Sequence, residues 1–337
     1  MTVTILHGDC RAILPTLPAG TFQTCVTSPP YYGLRSYLPD GHTDKHLEIG
    51  AEKTPDEYVA EMVAVFREVR RVLRDDGTLW LNIGDSYAST PPGNKTMGVS
   101  AKSGLNGVNG ASGKYRETLA AGHQTKRDTS KLAGIKPKDL IGIPWLLAFA
   151  LRADGWFLRS DIIWHKPNPM PESVRDRPTS AHEHVFLLSK RGAYFYDAGA
   201  IAEELQPSSI ERCEYPRYQN AKNGKDVNYG NPRTDAAARA RSIEIGTRNA
   251  RNVWTIATQP FSGAHFATMP PDLAERCIKA GTKPGDTVLD PFGGAGTTGL
   301  VADRLNRHAT LIELNPEYRA LAAGRITDDA PLFAGVA

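Results

Sequence analysis

A glycine-rich turn between two strand-like runs restricts the fold of this chain more than any other feature. In residues 286–318, DTVLDPFGGAGTTGLVADRLNRHATLIELNPEY, an apolar run precedes the glycines, a helical pattern follows them, and a second apolar run ends at Glu313. A strand, a helix and a second strand in this order form a crossover unit, which is how parallel neighbouring strands are connected. The chain is therefore predicted to contain a parallel sheet.

The same stretch predicts a site for an adenosine-containing ligand. Gly294, Gly296 and Gly299 form a G-x-G-x-x-G pattern, and Glu313 ends the next strand about 20 residues later. Glycine lets the backbone approach a ligand closely, and a carboxylate at position 313 can accept hydrogen bonds from ribose hydroxyls. A nicotinamide dinucleotide is one candidate. However, too little chain follows residue 318 to complete a sequential dinucleotide-binding sheet, so a circularly permuted sheet completed by the N-terminal strands is expected.

Alternating strand and helix signals supply those N-terminal strands. The runs VTILH and TFQTCVT predict strands, and the second ends at two consecutive prolines, which favour a rigid, extended loop. Thr54, Pro55 and Glu57 form the capping signature of a long helix. Further strands are predicted in TLWLNIGDSY, WFLRSDIIWHK and EHVFLLSK, with a helix in IGIPWLLAFALRADG. The expected fold class is α/β, with a mostly parallel central sheet and helices on both faces.

Composition narrows the class of protein. The 337 residues carry a formal net charge of +3 and are 40% hydrophobic, which is typical of a large globular α/β protein and does not by itself indicate nucleic-acid binding. The four cysteines show no C-x-x-C spacing, and His182 and His184 lack a third ligand, so no metal site is expected. No signal sequence or membrane-spanning apolar run is found, and a cytoplasmic protein without membrane contact is expected.

Two irregular segments concentrate the positive charge. Residues 90–136 and 206–252 contain few apolar residues and many lysines and arginines, and the second segment also carries Tyr215, Tyr218 and Tyr229. Basic residues interleaved with tyrosines on an α/β core favour contact with nucleic acid. The first segment is predicted to be a mobile basic insert, and solvated loops are the alternative interpretation for both.

Several motifs together resemble the beta group of amino-directed DNA methyltransferases. TSPPYYG at residues 27–33 is followed much later by DPFGGAGTTG at residues 290–299, the order of the catalytic and cofactor motifs in that group. The resemblance extends through LHGDCRAIL, LWLNIGDSY, DGWFLRSDIIWHKPNPMP, EHVFLLSK, HFATMPPDLAERCI and IELNPEY, and it leaves mainly the two basic segments uncovered. It implies a permuted Rossmann-like methyltransferase that transfers a methyl group from S-adenosylmethionine to an exocyclic amine of double-stranded DNA.

The resemblance implies a catalytic role for Ser28, Pro29, Pro30 and Tyr31. Ser28 and the Pro29 carbonyl would accept hydrogen bonds from the target amine, Pro30 would keep the loop rigid, and Tyr31 would offer an aromatic face to a flipped base. A ring-carbon methyltransferase would need a cysteine nucleophile instead, and no Pro-Cys element is present. Asp85, at the end of its predicted strand, is expected to be part of the active-site wall.

The first residue of the motif bears on the target base. Family members with Ser-Pro-Pro-Tyr resemble enzymes that act on cytosine N4, whereas Asp or Asn at the first position is usual for adenine N6. Ser28 therefore favours cytosine N4. The alternatives are adenine N6, an RNA or protein amide acceptor on the same fold, and, from another class, a nicotinamide-dependent oxidoreductase.

The resemblance also implies binding residues and a division of the chain. The cofactor set is Asp9, Cys10, Phe266, Thr268, Asp290, Phe292, Gly293, Gly294, Gly296, Thr297, Glu313 and Asn315, and the DNA set is Arg35, Lys166, Arg212, Arg217, Arg233 and Arg248. Residues 1–205 would form the catalytic half, 206–252 a small irregular target-recognition region, and 253–330 the cofactor half. The expected setting is the cytoplasm of a bacterial or phage-infected cell. A cognate restriction endonuclease is an open second partner, and the recognition sequence and oligomeric state stay undetermined.

Overall fold

A computed structural model of the chain describes residues 1–34, 36–39, 41–88, 134–205, 246–259, 261, 268–329 and 335–336. The chain divides into two compact units, one comprising Met1–Phe195 with Asn252–Ala337 and the other comprising Tyr196–Arg251. Almost all of the predicted basic insert and most of the predicted recognition region lie outside the described residues, as do Arg35, Arg212, Arg217, Arg233 and Phe266. No helix in the described ranges is long and apolar enough to cross a membrane.

Strands and helices alternate along the larger unit. Its strands are β1 (Thr2–His7), β2 (Phe22–Thr27), β3 (Leu73–Ile83), β4 (Phe157–His165), β5 (His182–Ser189), β8 (Val253–Thr255), β9 (Thr287–Asp290), β10 (His308–Glu313) and β11 (Gly335–Val336). Its helices are α1 (Cys10–Ile13), α2 (Pro55–Val72), α3 (Ile143–Ala153), α4 (Pro271–Gly281), α5 (Thr297–Arg304) and α6 (Pro316–Asp329), with 3-10 turns at Leu14–Thr16 and Thr43–Leu47. The smaller unit contains β6 (Glu203–Glu204) and β7 (Thr247–Arg248), which pair antiparallel.

Within the described residues, nine strands form one sheet in the order β11-β1-β10-β9-β2-β3-β5-β4-β8. Among these nine strands only β5 runs antiparallel to its neighbours, β3 and β4, and all other adjacent strands of the nine are parallel. The crossover unit β9-α5-β10 from the C-terminal part of the chain lies between β1 and β2. The predicted permuted, mostly parallel sheet is therefore confirmed.

Alternating residues of β3 face helices on opposite sides of the sheet. Leu79 and Leu81 belong to the apolar core formed with α2 and α3. Trp80, between them, points to the other side, where a Cβ on Gly281 of α4 would lie 2.9 Å from its indole nitrogen. This backbone approach is possible because residue 281 has no side chain. The period of two along a buried strand thus explains why both faces are covered.

The helix α2 begins at the residue that the sequence predicts, and β3 follows its last residue without an intervening loop. The Thr54 hydroxyl accepts from the Glu57 amide, and the Glu57 carboxylate accepts from the Thr54 amide, which completes the capping box. The strand β3 starts at Leu73, directly after the helix and earlier than the predicted start at Thr78, because Leu73 pairs with Phe22 at the beginning of β2.

Candidate active site

A cavity of about 910 Å³ opens at one edge of the sheet in the larger unit. Five strands reach this edge with their carboxyl ends, namely β1, β2, β4, β9 and β10. The antiparallel strand β5 reaches it with its amino end. Ligands of open α/β sheets bind outside the carboxyl ends of the strands, and a volume of this size suits a substrate or cofactor. The sequence-predicted residues that line the cavity are Asp9, Cys10, Ser28, Pro29, Pro30, Tyr31, Lys166, Thr268, Asp290, Phe292, Gly293, Gly294, Thr297 and Glu313.

The glycine turn after β9 is tied to the end of β10 by Glu313. One carboxylate oxygen accepts from the Gly294 amide at 2.7 Å, and the other accepts from the Asn315 amide at 2.8 Å. Burial raises the pKa of the Glu313 carboxyl, although these backbone donors favour the ionised form. A carboxylate offers about four acceptor positions. Glu313 can therefore hold the turn and still accept further hydrogen bonds from a ligand.

The glycines of this turn have different roles. Gly294 has φ +49°, and a Cβ there would meet nothing nearer than 3.9 Å, so its open side belongs to the cavity. Gly296 has φ +77°, and a Cβ there would lie 2.8 Å from the Cβ of Ala322 in α6. Gly296 does not line the cavity. It permits α6 to pack closely on the turn, and its predicted contact with the ligand stays a prediction.

Asn315 also supports the site from outside the cavity. Its side-chain oxygen accepts from the Glu317 amide at 2.8 Å, at the beginning of α6. Its side-chain amide donates to the carbonyl of Tyr37 at 2.8 Å, in the loop that follows the two prolines. Asn315 thus joins the end of β10 to the loop that follows β2.

A single buried carboxyl joins β9 to β2. Asp290 is 3% exposed and accepts from the hydroxyls of Thr27 at 2.6 Å and Thr298 at 2.7 Å, and from the Phe292 amide at 3.0 Å. Burial raises the pKa of this carboxyl, opposed by the same three donors. Thr27 is the last residue of β2. Asp290 therefore fixes the glycine turn against the start of the Ser-Pro-Pro-Tyr loop.

Asp9 and Cys10 lie at the end of β1, where the chain enters α1. The Asp9 carboxylate accepts from the backbone amide of Arg11 at 2.9 Å and pairs with its guanidinium. Burial raises the pKa of the Cys10 thiol to about 12, and the Asp9 charge adds to the effect. A thiol that stays protonated is a poor nucleophile. Within the described residues, no group of histidines, cysteines and carboxylates could hold a metal ion.

The loop after β2 presents Ser28 and Tyr31 to the cavity and turns Tyr32 inward. Tyr32 is 2% exposed and packs on Tyr58 of α2, with ring centroids 5.6 Å apart. The Tyr58 hydroxyl donates to the Pro30 carbonyl at 2.8 Å, which holds the loop from the side of α2. The two adjacent tyrosines thus have different surroundings, one in the core and one at the cavity.

Comparison with known proteins decides the family. The model of the DNA methylase family of N6 and N4 enzymes matches residues 22–324. The chain belongs to this family. A relative, the type II methyltransferase M.XycI of Xanthomonas campestris pv. cyanopsidis, is 44% identical over 323 residues, covering 96% of this chain and 87% of the relative.

Two solved structures share the fold of this methylase. The cytosine-N4-specific PvuII DNA methyltransferase matches with a TM-score of 0.58 at 18% identity, over 98% of this chain and 92% of that chain. The protein TTHA0409 of Thermus thermophilus, solved in complex with S-adenosyl-L-methionine, matches with a TM-score of 0.55 at 22% identity, over 100% of this chain and 98% of that chain. The predicted fold class is thereby confirmed.

The methyl donor of this methylase family is S-adenosylmethionine, as the sequence predicted. The residues of the cavity fit this group, because the open side of Gly294 leaves room for it and the Glu313 carboxylate retains acceptor positions for ribose hydroxyls. Membership of the family excludes the alternative of a nicotinamide-dependent oxidoreductase.

The methylase cavity also contains a carboxylate that was not predicted from the sequence. The carboxylate of Glu183, at the start of β5, accepts from the Tyr31 hydroxyl at 2.7 Å, from the side-chain amide of Asn82 at 3.1 Å and from the Lys166 ammonium at 2.5 Å. The Ser28 hydroxyl lies 3.4 Å from that of Tyr31. The available signal was a charged residue at the beginning of a strand whose later residues, VFLL, are all apolar. Nothing in the sequence, however, places it beside residues 28–31.

Lys166 and Arg248, both predicted to contact DNA, already have acidic partners. Lys166 pairs with Glu183 and lies 4.5 Å from the centre of the Trp164 ring, with a side chain 18% exposed. In the smaller unit, Arg248 pairs with Glu203 at 3.2 Å. Their contacts with phosphate stay predictions.

Asp85 and the two histidines have structural roles. The Asp85 carboxylate accepts from the amides of Gly142 and Ile143, where it caps α3, and it does not line the cavity. Its expected place in the active-site wall is wrong, because the orphan amides of the helix N-terminus take its oxygens. The His184 imidazole shares a hydrogen bond with the Asp161 carboxylate at 2.9 Å, and its ring centre lies 5.4 Å from that of His182.

Proposed function

We propose that this methylase transfers a methyl group from S-adenosylmethionine to the exocyclic N4 of a cytosine that has been flipped out of double-stranded DNA. The observation that carries the proposal is the shared cavity. Ser28 and Tyr31 line one part of it, and Gly294 and Glu313 line another. A target base and a methyl donor can therefore be held against each other, which is the main requirement of a direct transfer between two bound groups.

The loop supplies acceptors for the target amine. The lone pair of an exocyclic amine is delocalised into the ring, so the amine attacks only when its nitrogen moves toward tetrahedral geometry. We assign Ser28 and the Pro29 carbonyl as the acceptors that favour this change. Within the described residues no group donates to the Pro29 carbonyl, whereas the Pro30 carbonyl accepts from Tyr58. When bound, S-adenosylmethionine supplies an electrophilic methyl group, which the amine takes up in exchange for one proton, leaving S-adenosylhomocysteine.

The residues around the glycine turn would hold the donor. Glu313 would accept from the ribose hydroxyls, and Asp9 from the adenine amine. Thr268 and Phe292 line the same cavity and would contact the remainder of the molecule. Asp290 would act indirectly, because its oxygens are bonded to Thr27, Thr298 and the Phe292 amide.

The choice of cytosine rests on Ser28. With serine at its first position, the motif resembles that of enzymes that act on cytosine N4. The PvuII enzyme, which is similar to this chain in fold, is described as cytosine-N4-specific. Methylation of adenine N6 is the second candidate, because the same acceptors would serve that amine.

A role beside a restriction endonuclease is proposed from the relative. M.XycI is named a type II methyltransferase. We propose that this chain likewise protects a DNA site from a cognate endonuclease. The basic residues Arg35, Arg212, Arg217, Arg233 and Arg248 would contact phosphates, so DNA affinity should fall steeply with salt concentration.

The test is to express the protein in a host without DNA methylation and to identify modified nucleosides by mass spectrometry, with Ser28→Ala as the control. We expect N4-methylcytosine from the wild-type chain and at most traces from the control. N6-methyladenine would replace the assignment of the base but keep the fold and the acceptors. Neither base, from a protein that still binds S-adenosylmethionine, would contradict the proposal and direct the search to RNA or protein acceptors.

A further inference from the structure

Glu183 is the point where four segments of the chain meet in the cavity. Its carboxylate accepts from Tyr31 of the catalytic loop, from Asn82 at the end of β3 and from Lys166 just after β4. All four side chains line the cavity, together with Ser28. The Glu183 side chain is 17% exposed, so these contacts are shielded from water and hold a defined geometry.

The contacts of Glu183 determine the direction of the hydrogen bonds. An ionised carboxylate only accepts, so Tyr31 must donate its single proton to Glu183. Glu183 also forms an ion pair with the Lys166 ammonium. Burial, together with the Glu183 charge, raises the pKa of the Tyr31 hydroxyl, which therefore keeps its proton.

The direction extends to Ser28. Since the Tyr31 oxygen has given its proton to Glu183, it can accept the proton of the Ser28 hydroxyl, 3.4 Å away. This distance is long for such a bond, and catalytic hydrogen bonds often shorten when substrate binds. A Ser28 hydroxyl that points its proton at Tyr31 turns its lone pairs elsewhere, and these are what an amine needs.

We propose that Glu183 is a positioning residue for methyl transfer, which acts through Tyr31 to make Ser28 a hydrogen-bond acceptor for the target amine. The proposal rests on the proposed function, in which Ser28 accepts from that amine. Asn82 uses one amide proton on Glu183 and the other on the His184 carbonyl, at 3.2 Å, which fixes the carboxylate in place. Lys166 is the counter-ion of the network.

Gly84 shows how closely the network is packed. A Cβ at this position would lie 2.7 Å from the Tyr31 ring and 3.4 Å from the carboxyl carbon of Glu183. The ring of Tyr31 therefore lies directly on the backbone at the end of β3, where only glycine leaves room. The tyrosine hydroxyl is thus positioned from the backbone side and from the carboxylate side.

The experiment compares single-turnover methyl transfer to DNA by the wild-type chain and by Glu183→Gln, Tyr31→Phe and the double variant. The glutamine amide can donate to Tyr31 and so reverse the direction of the bond. We expect each single variant to be slower by roughly tenfold or more, with the dissociation constant of S-adenosylmethionine and the unfolding midpoint unchanged. The double variant should be no slower than Tyr31→Phe alone, because both changes break one path.

The control is Glu68→Gln, which removes a carboxylate that is also ion-paired, with Arg71, but lies outside the cavity. It should transfer methyl at the wild-type rate. If Glu183→Gln does not fold, Tyr31→Phe alone decides, because it leaves the pair of Glu183 and Lys166 intact.

Three results would overturn the inference. They are a normal rate in Glu183→Gln, a normal rate in Tyr31→Phe, and losses that multiply in the double variant. Ser28→Ala separates this failure from failure of the proposed function. If methyl transfer is slow in Ser28→Ala but proceeds at the wild-type rate in Glu183→Gln, only the role of Glu183 is rejected. If Ser28→Ala transfers methyl at the wild-type rate, the acceptor role of Ser28 is rejected, and this inference is rejected with it.

Discussion

The two ends of the cavity are built in different ways. The proposed cofactor end comes mainly from one contiguous stretch, residues 286–318, in which the Gly294 amide is held by a carboxylate 19 residues later in the chain. The proposed catalytic end joins Ser28 and Tyr31 to Asn82, Lys166 and Glu183, and Tyr31 and Glu183 are 152 residues apart in sequence. The comparison shows that one half of the site is encoded mainly by local sequence, whereas the other exists only once the sheet has formed.

This difference explains what could be predicted from the sequence. The glycine turn, the acid at residue 313 and the capping box of α2 are local signals, and each was found because the spacing itself carries the physical reason. These predictions needed no knowledge of long-range contacts.

The role of Glu183 and the partner of Lys166 could not be predicted, because they depend on β5 running antiparallel between β3 and β4. That direction brings the first residues of β5 to the edge where the other strands end. Asp85 was placed wrongly for a related reason, since its partners are amides of α3, more than 50 residues later. Local spacing does not contain this information.

The largest expected effect separates the two ends directly. Ser28→Ala should lower the single-turnover rate of methyl transfer by roughly a hundredfold or more, as loss of one preorganised polar group does in other enzymes. The dissociation constant of S-adenosylmethionine, measured by calorimetry, should not change, because the cofactor end is built from another part of the chain. A higher dissociation constant of S-adenosylmethionine in this variant would show that the two ends of the cavity are not separable.

Glu313→Ala tests the opposite end. It removes a carboxylate that holds the Gly294 and Asn315 amides, and we expect the dissociation constant of S-adenosylmethionine to rise by roughly tenfold to a hundredfold. Glu313→Gln, which retains one acceptor oxygen, should lose less. Equal affinity in Glu313→Ala and wild type, in the same calorimetric titration, would remove the ribose assignment.

Asp290 joins the ends, so its loss should affect both. Asp290→Ala leaves the hydroxyls of Thr27 and Thr298 and the Phe292 amide without their acceptor, and we expect the free energy of unfolding to fall by about 1–3 kcal/mol. Asp290→Asn keeps an acceptor and should be milder. Denaturant unfolding measures both variants, and equal stability of Asp290→Ala and wild type would contradict the joining role.

The pH dependence of stability sharpens the role of Asp290. Burial raises the pKa of its carboxyl above the ordinary 3.8, so the folded chain binds more protons than the unfolded chain between the two values. The contribution of this group therefore makes stability fall as the pH rises through that window. Asp290→Asn should abolish this contribution, which unfolding curves at several pH values would show as a shallower fall than in wild type.

The smallest expected effect concerns the glycine that supports the cofactor end from outside. In Gly296→Ala the new Cβ lies 2.8 Å from the Cβ of Ala322, on a residue whose φ is +77°. In Gly285→Ala the residue has a similar φ of +86°, but the new Cβ meets no atom within 4 Å. Both variants carry the backbone cost of about 1–2 kcal/mol for a left-handed residue, and only Gly296→Ala adds the clash with α6. Thermal unfolding should therefore rank Gly296→Ala below Gly285→Ala. Because residue 296 does not line the cavity, we expect any loss of cofactor affinity in Gly296→Ala to come from displacement of the turn. Equal stability of the two variants would mean that α6 adjusts at little cost, and that the locally encoded end of the cavity does not depend on this packing.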